Sequence, residues 1–175
     1  LGASVLDGRG DVLSFGGRVM KNVAGYDMAR VLAGSLGTLG VLVDLSLKVL
    51  PRPRAERTLR FEIDEATAIR QLNEWGGQPL PISASAWLEG ALWLRLSGAR
   101  AGVDAAQARL GGSVVEDAGR WWTDLREQRH PFFQSRTQRA LWRLAVPPTT
   151  PPLGLGATLI EWHGGQRWVF DDGAA

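Results

Sequence analysis

Cysteine is missing from all 175 residues of the chain. That rules out disulfides, thiolate metal sites, iron–sulfur ligation and cysteine nucleophiles within it. Histidine is scarce: His130 and His163 are the only two, and they lie far apart in sequence. A metal site usually needs three or more ligands, so both read as structural or surface residues and no metal is expected. Only two lysines occur, Lys21 and Lys48, so the 20 basic residues are nearly all arginine. Against 18 acidic residues they leave a net charge of +2. The arginines are scattered and form no stripe, which argues against a nucleic-acid partner. Long apolar runs are missing too. The longest, 40–50, is cut by Asp44 and Lys48 and falls short of the roughly 20 residues that a membrane span needs. Nor do Leu1 to Asp7 read as a secretory leader, for no basic segment precedes an apolar one.

What is present is ordinary for a folded protein, with 45% hydrophobic and 22% charged residues. Val5-Leu6 and Val12 to Phe15 flank a Gly-rich turn and predict a hairpin. A hairpin at the first residues, with no initiator methionine, leads us to expect a piece of a longer chain. Asp27 is placed to cap a short helix over 28–33, with Gly34 ending it. From Val41 to Val49 the residues alternate with a period of two, which predicts a strand with one face strongly buried. Pro51-Arg52-Pro53-Arg54 stops it and marks the domain boundary, dividing the chain into 1–53 and 54–175.

Past the boundary the pattern predicts a strand over 57–63, a helix capped by Asp64, a hairpin of 83–88 and 91–97, a helix over 101–110 and a strand at 113–116. The order β-α-β-β-α-β is that of a split βαβ, ferredoxin-like unit, with its core at about 55–146. A further helix over 119–130 and a strand over 140–146 follow. Residues 147–152, Pro-Pro-Thr-Thr-Pro-Pro, predict a stiff extended connector. A last hairpin turns at Gly164-Gly165.

Chemistry is hardest to ignore between Gly16 and Gly40, where glycines would let backbone amides approach an anionic or planar ligand. Gly37-Thr38-Leu39-Gly40 alone is equally well a structural turn. No Gly-Lys-Ser/Thr follows it, and it does not match a Gly-x-Gly-x-x-Gly fingerprint. Trp93, Trp121-Trp122, Trp142, Trp162 and Trp168 could form a platform for a planar ligand, but their spacing favours packing. The arginines at 120, 126, 129, 136, 139 and 143 read as a solvated or subunit-facing surface.

A longer constellation is more specific. Lys21-Asn22-Val23-Ala24-Gly25-Tyr26-Asp27, then Arg30, then Gly34-Ser35-Leu36-Gly37-Thr38-Leu39-Gly40-Val41, then Leu47-Lys48-Val49-Leu50-Pro51, resembles the PCMH-type FAD-binding family of vanillyl-alcohol oxidase. Within it the pattern is similar to the E-type subunits of bacterial glycolate oxidase. The likeness continues through Gln78 to Ser83, Ala91 to Leu96, Leu125 to Gln128 and Pro131-Phe132-Phe133.

The resemblance implies an α+β protein: the C-terminal part of a PCMH-type FAD-binding domain, followed by a cap-like domain with the ferredoxin-like core. It implies FAD as cofactor, touched mostly through the backbone by Leu36, Gly37, Thr38, Leu39, Gly40, Val41 and Leu42. Lys21, Asn22, Gly25 and Tyr26 are secondary candidates. Lys21 stays open between a charge complement to the cofactor and a surface lysine. For Tyr26, packing with a hydrogen-bonded hydroxyl is expected rather than catalysis. Catalytic residues are not identified. Without cysteine the flavin would be non-covalent, and because relatives hold the FAD pyrophosphate upstream, these residues alone are expected to bind FAD poorly. The implied activity is oxidation of glycolate, a small 2-hydroxy acid, to glyoxylate. The implied partners are an FAD-containing D-type subunit and an iron–sulfur F-type subunit. The implied location is cytoplasmic, or peripheral at the inner membrane through those partners. A non-catalytic assembly subunit that keeps the flavoprotein fold is the alternative.

Overall fold

The proline-interrupted run at 51–54 coincides with a division of the chain into two compact units, Leu1–Arg52 and Pro53–Ala175. This is seen in a computed structural model that describes residues 2–17, 26–134 and 139–170. Lys21, Asn22 and Gly25 lie outside the described residues.

The first unit is a three-stranded antiparallel sheet in the order β2-β1-β3, with β1 Gly2–Leu6, β2 Val12–Gly16 and β3 Val41–Ser46. The β1–β2 turn is closed by Asp7, whose carboxylate accepts the amides of Arg9 (2.8 Å) and Asp11 (3.0 Å). Helix α1, Met28–Val31, is shorter than its expected span. Asp27 caps it, accepting the Arg30 amide at 3.3 Å, and Gly34 follows at φ +80°. Strand β3 departs from expectation in two ways. Its pairing ends at Gly2↔Ser46, so it stops short of Val49. Its alternation buries neither face: Val41, Leu42, Val43 and Leu45 are all exposed. A period of two records what a strand can bury, but burial needs a second layer, and the described part of this unit supplies little beyond Ala3, Val5 and Ala29.

The second unit is built on β4 Ala55–Glu62, α2 Glu65–Gly76, β5 Ile82–Leu88, β6 Ala91–Gly98, α3 Arg100–Leu110 and β7 Ser113–Val115. These are followed by α4 Gly119–Arg126, α5 Pro131–Gln134, β8 Leu141–Ala145, β9 Thr158–Glu161 and β10 Gln166–Phe170. All seven strands join one sheet, ordered β7-β4-β6-β5-β9-β10-β8, and every recorded pairing is antiparallel. Helix α2 starts where expected because Asp64 accepts the Thr67 amide at 2.9 Å, and that bond holds the Asp64 carboxyl below its usual range. Alternation along β4 and β6 sends Leu59, Leu92, Leu94 and Leu96 to one face, where Ala68, Leu72, Val103 and Ala106 of α2 and α3 bury them. The other face carries Ala86, Leu88, Leu159 and Phe170 under Trp122, Leu125 and Phe132.

Three expectations are corrected here. The helix over 119–130 ends at Arg126, because Gln128 takes φ +55° and turns the chain. The strand over 140–146 is not part of the β4–β7 core. It pairs with β10 at the opposite edge of the sheet. The Pro-rich connector is not a free extended spacer: Thr150 donates its amide to Pro147 O at 2.9 Å, and Pro148 O accepts Asn73 Nδ2 at 3.1 Å.

Arg167 explains how that connector is held. It is on the α2 side of β10 and fully buried. Its Nε donates to Gly164 O at 2.9 Å, Nη2 to Thr150 O at 2.8 Å, and Nη1 to Glu65 Oε1 at 3.4 Å. Burial depresses the arginine pKa and raises that of Glu65, while each charge opposes the shift in the other. One guanidinium thus ties the connector, the 162–164 turn, β10 and the first turn of α2. Arg167→Met should cost about 3 kcal/mol or more in urea unfolding, since Glu65 and two carbonyls lose their donor in a dry site.

Candidate functional site

The segment singled out by sequence, Leu36 to Leu42, runs from a chain of turns into β3. Ser35 donates its amide to Leu32 O (3.2 Å), Thr38 to Ser35 O (2.9 Å) and Gly40 to Gly37 O (3.4 Å). The Thr38 hydroxyl adds a bond to Ser35 O at 2.7 Å. Leu36 sits at φ +50° and Gly37 at φ +82°. No hydrogen bond occupies the amides of Leu36, Gly37 and Leu39 among the described residues. Leu36 is 95% exposed, and Leu39, Val41 and Leu42 are exposed as well.

The two glycines have different physical roles. At Gly37 a Cβ would meet open space, so only the positive φ demands glycine. At Gly40, φ +130°, a Cβ would lie 2.6 Å from both Leu6 O and Val5 Cγ1. Gly40 is therefore needed by the β1–β3 contact itself, a reason the sequence did not reveal. Tyr26 also departs from expectation: it is 93% exposed and does not pack.

Three unoccupied amides and exposed leucine and valine side chains fit one side of a planar, partly apolar cofactor. They offer no charge for a pyrophosphate. Arg30, in the helix before the turns, is already paired with Asp27 at 3.0 Å.

The second unit has its own cleft, which sequence reasoning missed because it is assembled from β4, β5, β6, α4 and the 162–164 turn. Its volume is about 910 Å³, and its lining includes Thr58, Ser83, Arg95, Trp122, Glu161 and His163. Trp162 and His163 both adopt left-handed backbone, φ +52° and +55°. Of the tryptophans expected to pack, Trp93, Trp121, Trp122 and Trp168 do so, whereas Trp142 and Trp162 are exposed. Trp93 stacks on Trp121 with centroids 4.3 Å apart, and Trp121 meets Trp122 edge-on. His130 accepts the Phe132 amide at 3.2 Å, and burial keeps both His130 and His163 below the usual imidazole pKa. Among the described residues no group of three or more His, Cys, Asp or Glu could hold a metal ion. No described helix is long and apolar enough to cross a membrane.

No family model matches the chain. Stretches of it resemble proteins named for 2-hydroxy acids. It is 41% identical over 59 residues to glycolate oxidase subunit GlcD of Bacillus subtilis (strain 168), covering 34% of this chain and 13% of that one. It is 39% identical over 46 residues to a D-lactate dehydrogenase of Anaerostipes hadrus, covering 26% and 10%. Far more extensive is its likeness to glycolate oxidase subunit GlcE of Escherichia coli (strain K12). Identity there is 49% over 170 residues, covering 97% of this chain and 47% of the relative. Over nearly its whole length the chain is thus similar to glycolate oxidase subunit GlcE, and it spans about half the length of that relative.

Two outcomes follow from the geometry. Gly37→Ala should lose about 1 kcal/mol, the cost of a left-handed alanine. Gly40→Ala should instead break the β1–β3 pairing, read as rapid amide exchange at Val5 and Leu6. For His163, the depressed pKa means that the unfolded chain binds a proton that the folded one excludes. Stability should therefore fall as pH drops below 6.5, the unperturbed value. Glu65, whose pKa is raised above 4.5, acts with the opposite sign in its own window, losing stabilisation as pH rises. His163→Asn keeps a residue that tolerates the left-handed region, and urea midpoints at pH 5.5 and 7.5 should differ less in it than in the parent.

Proposed function

We propose that this chain is part of the flavin-holding subunit of a glycolate-oxidising complex. In this proposal residues 1–53 are the C-terminal portion of a PCMH-type FAD-binding domain, and residues 54–175 a cap-like domain. The strand order β7-β4-β6-β5 supports a ferredoxin-like βαββαβ core, here extended by β9, β10 and β8. The observation that carries the functional reading is the 49% identity to GlcE over nearly the whole chain.

The 175 residues contain no cysteine to which FAD could be covalently bound. Leu36, Gly37 and Leu39 direct backbone donors toward the flavin, and Leu36, Leu39, Val41 and Leu42 supply apolar contact. When bound, FAD would supply the two-electron oxidising capacity for glycolate, whose C2 hydride and hydroxyl proton are both lost in forming glyoxylate. The turns at 32–40 hold the segment's backbone in place, since each interior bond fixes one φ/ψ pair that a flavin contact needs. Lys21, Asn22, Gly25 and Tyr26 are proposed as secondary contacts. The partners are a D-type FAD subunit and an iron–sulfur F-type subunit, and the complex works in the cytoplasm or at the inner membrane surface through them.

A second reading is favoured by one observation: β3 exposes apolar side chains on both faces. In it the subunit organises its partners and carries no redox-active flavin. Purified full-length subunit separates the two. A yellow protein whose colour is released by acid supports flavin holding, whereas a colourless subunit that still assembles supports the second reading. Gly37→Val should lower flavin content several-fold while amide exchange of the β4–β6 strands stays as in the parent. Flavin at the parent's stoichiometry in that variant would make Leu36 to Leu42 a turn and nothing more.

A further inference from the structure

The sheet of the second unit ends in two strands with a neighbour on one side only, β7 and β8. β7 has three residues, whereas β8 has five and pairs in unbroken register with β10. The ladder fixes which backbone groups of β8 are left over. Val146, the next residue, donates its amide to Gly165 O at 3.0 Å, in the register of the β8–β10 pairs. Hydrogen-bonded and non-hydrogen-bonded pairs alternate along antiparallel strands. Leu144 and Trp142 therefore bond to β10, and the amides and carbonyls of Leu141, Arg143 and Ala145 point away from the sheet. Among the described residues no strand lies on that side.

The side chains along this edge differ between its faces. Trp142 is 55% exposed, on the face that carries Arg167 and α2. Arg143 is exposed on the other face, its guanidinium carbon 6.0 Å from the centroid of its cross-strand partner Trp168. No carboxylate lies within ion-pair distance of Arg143 among the described residues. Pro147 and Pro148, which lack amide hydrogens, end the edge two residues beyond Ala145.

We infer that β8 is a docking edge for an extended acidic segment of another protein, which joins the sheet beside it as a further strand. The visiting strand bonds to the outward groups of Leu141, Arg143 and Ala145 and sets a carboxylate beside the Arg143 guanidinium. Its residues on either side of that acid are apolar and lie against Trp142 and Leu144. Main-chain bonds supply the affinity, and the alternating side chains choose the partner. Arg143 also selects against a second copy of this chain. Two-fold pairing of β8 with itself, centred on Arg143, sets two guanidiniums directly opposite each other. Centring it on Trp142 or Leu144 leaves them on a diagonal of about 7–8 Å. An edge that admits an acidic strand thus repels its own copy. The inference involves neither the first unit nor a flavin.

The test titrates the nitrogen-15-labelled chain with the capped pentapeptide Thr-Val-Glu-Val-Thr and with its counterpart carrying Lys in place of Glu. The glutamate peptide should shift the amides of Leu141, Arg143 and Ala145 saturably while those of β4 and β6 stay in place. The lysine peptide should bind at least about threefold more weakly, the difference between opposite and like charges across a strand pair. Arg143→Glu should reverse that order. If that variant does not fold, Arg143→Gln should bring the two peptides to within about twofold of each other. Ala145→Pro removes one outward donor where an edge strand tolerates proline, and should weaken both peptides at least about threefold. The inference is overturned by no saturable shift at those amides, by equal binding of the two peptides to the parent, or by the parent's order or affinity persisting in the folded variants. A dimer of the chain alone, seen in sedimentation and lost in Ala145→Pro, would also overturn it. Because neither flavin nor oxidation is measured, failure here leaves the reading of residues 36–42 standing.

Discussion

A charge without water must be satisfied on every side, and that constraint organises the second unit around Arg167. The guanidinium cannot be moved to solvent without releasing Gly164 O, Thr150 O and Glu65 at once. Each of those groups belongs to a different segment, so the arginine converts three local conformations into one cooperative arrangement. Neighbouring contacts reinforce it. Asn73 reaches Pro148 O from α2, and a Cβ at Gly164 would fall 2.4 Å from that same carbonyl oxygen. The consequence reaches the cleft, because the 162–164 turn that Arg167 fixes is also the one that brings Trp162 and His163 to its wall.

The two units divide the work differently. In the second, both faces of a seven-stranded sheet are covered, and two interior indoles have partners: Trp87 Nε1 donates to Ile63 O at 2.8 Å, and Trp168 Nε1 to Glu161 at 2.7 Å. In the first, apolar side chains on β3 and the 36–42 segment remain in contact with solvent. Exposed apolar surface of that kind marks a place of interaction. It suits the proposed roles, in which a flavin and further protein lie against this unit. The second unit thus covers both faces of its sheet, while the first presents apolar side chains to solvent.

Much of this was legible from sequence, and the failures have a common cause. Local signals worked where the chain decides its own geometry: Asp64 caps α2, Gly111 and Gly112 follow α3, and the strands predicted over 57–63 and 91–97 form as β4 and β6. They failed where the partner is distant in sequence. Alternation in β3 could not reveal that its second layer is missing from the described residues. Nothing local told that Leu141–Ala145 joins β10 and not the β4–β7 core, since pairing is settled by the whole sheet. The Gly40 requirement depends on Val5 and Leu6, some thirty-five residues earlier. The cleft of the second unit was invisible for the same reason: its walls come from several elements distant in sequence. The candidate cofactor segment itself was found by resemblance and not by periodicity.

The central claim, that the 36–42 segment is a flavin contact, is tested most directly by amide hydrogen exchange in the assembled complex with its flavin bound and after release. Selective slowing at Leu36, Gly37 and Leu39 in the flavin-bound form, with β4 and β6 unchanged, is the result the account requires. Equal exchange at those three amides in the two forms, with flavin demonstrably bound, would contradict it.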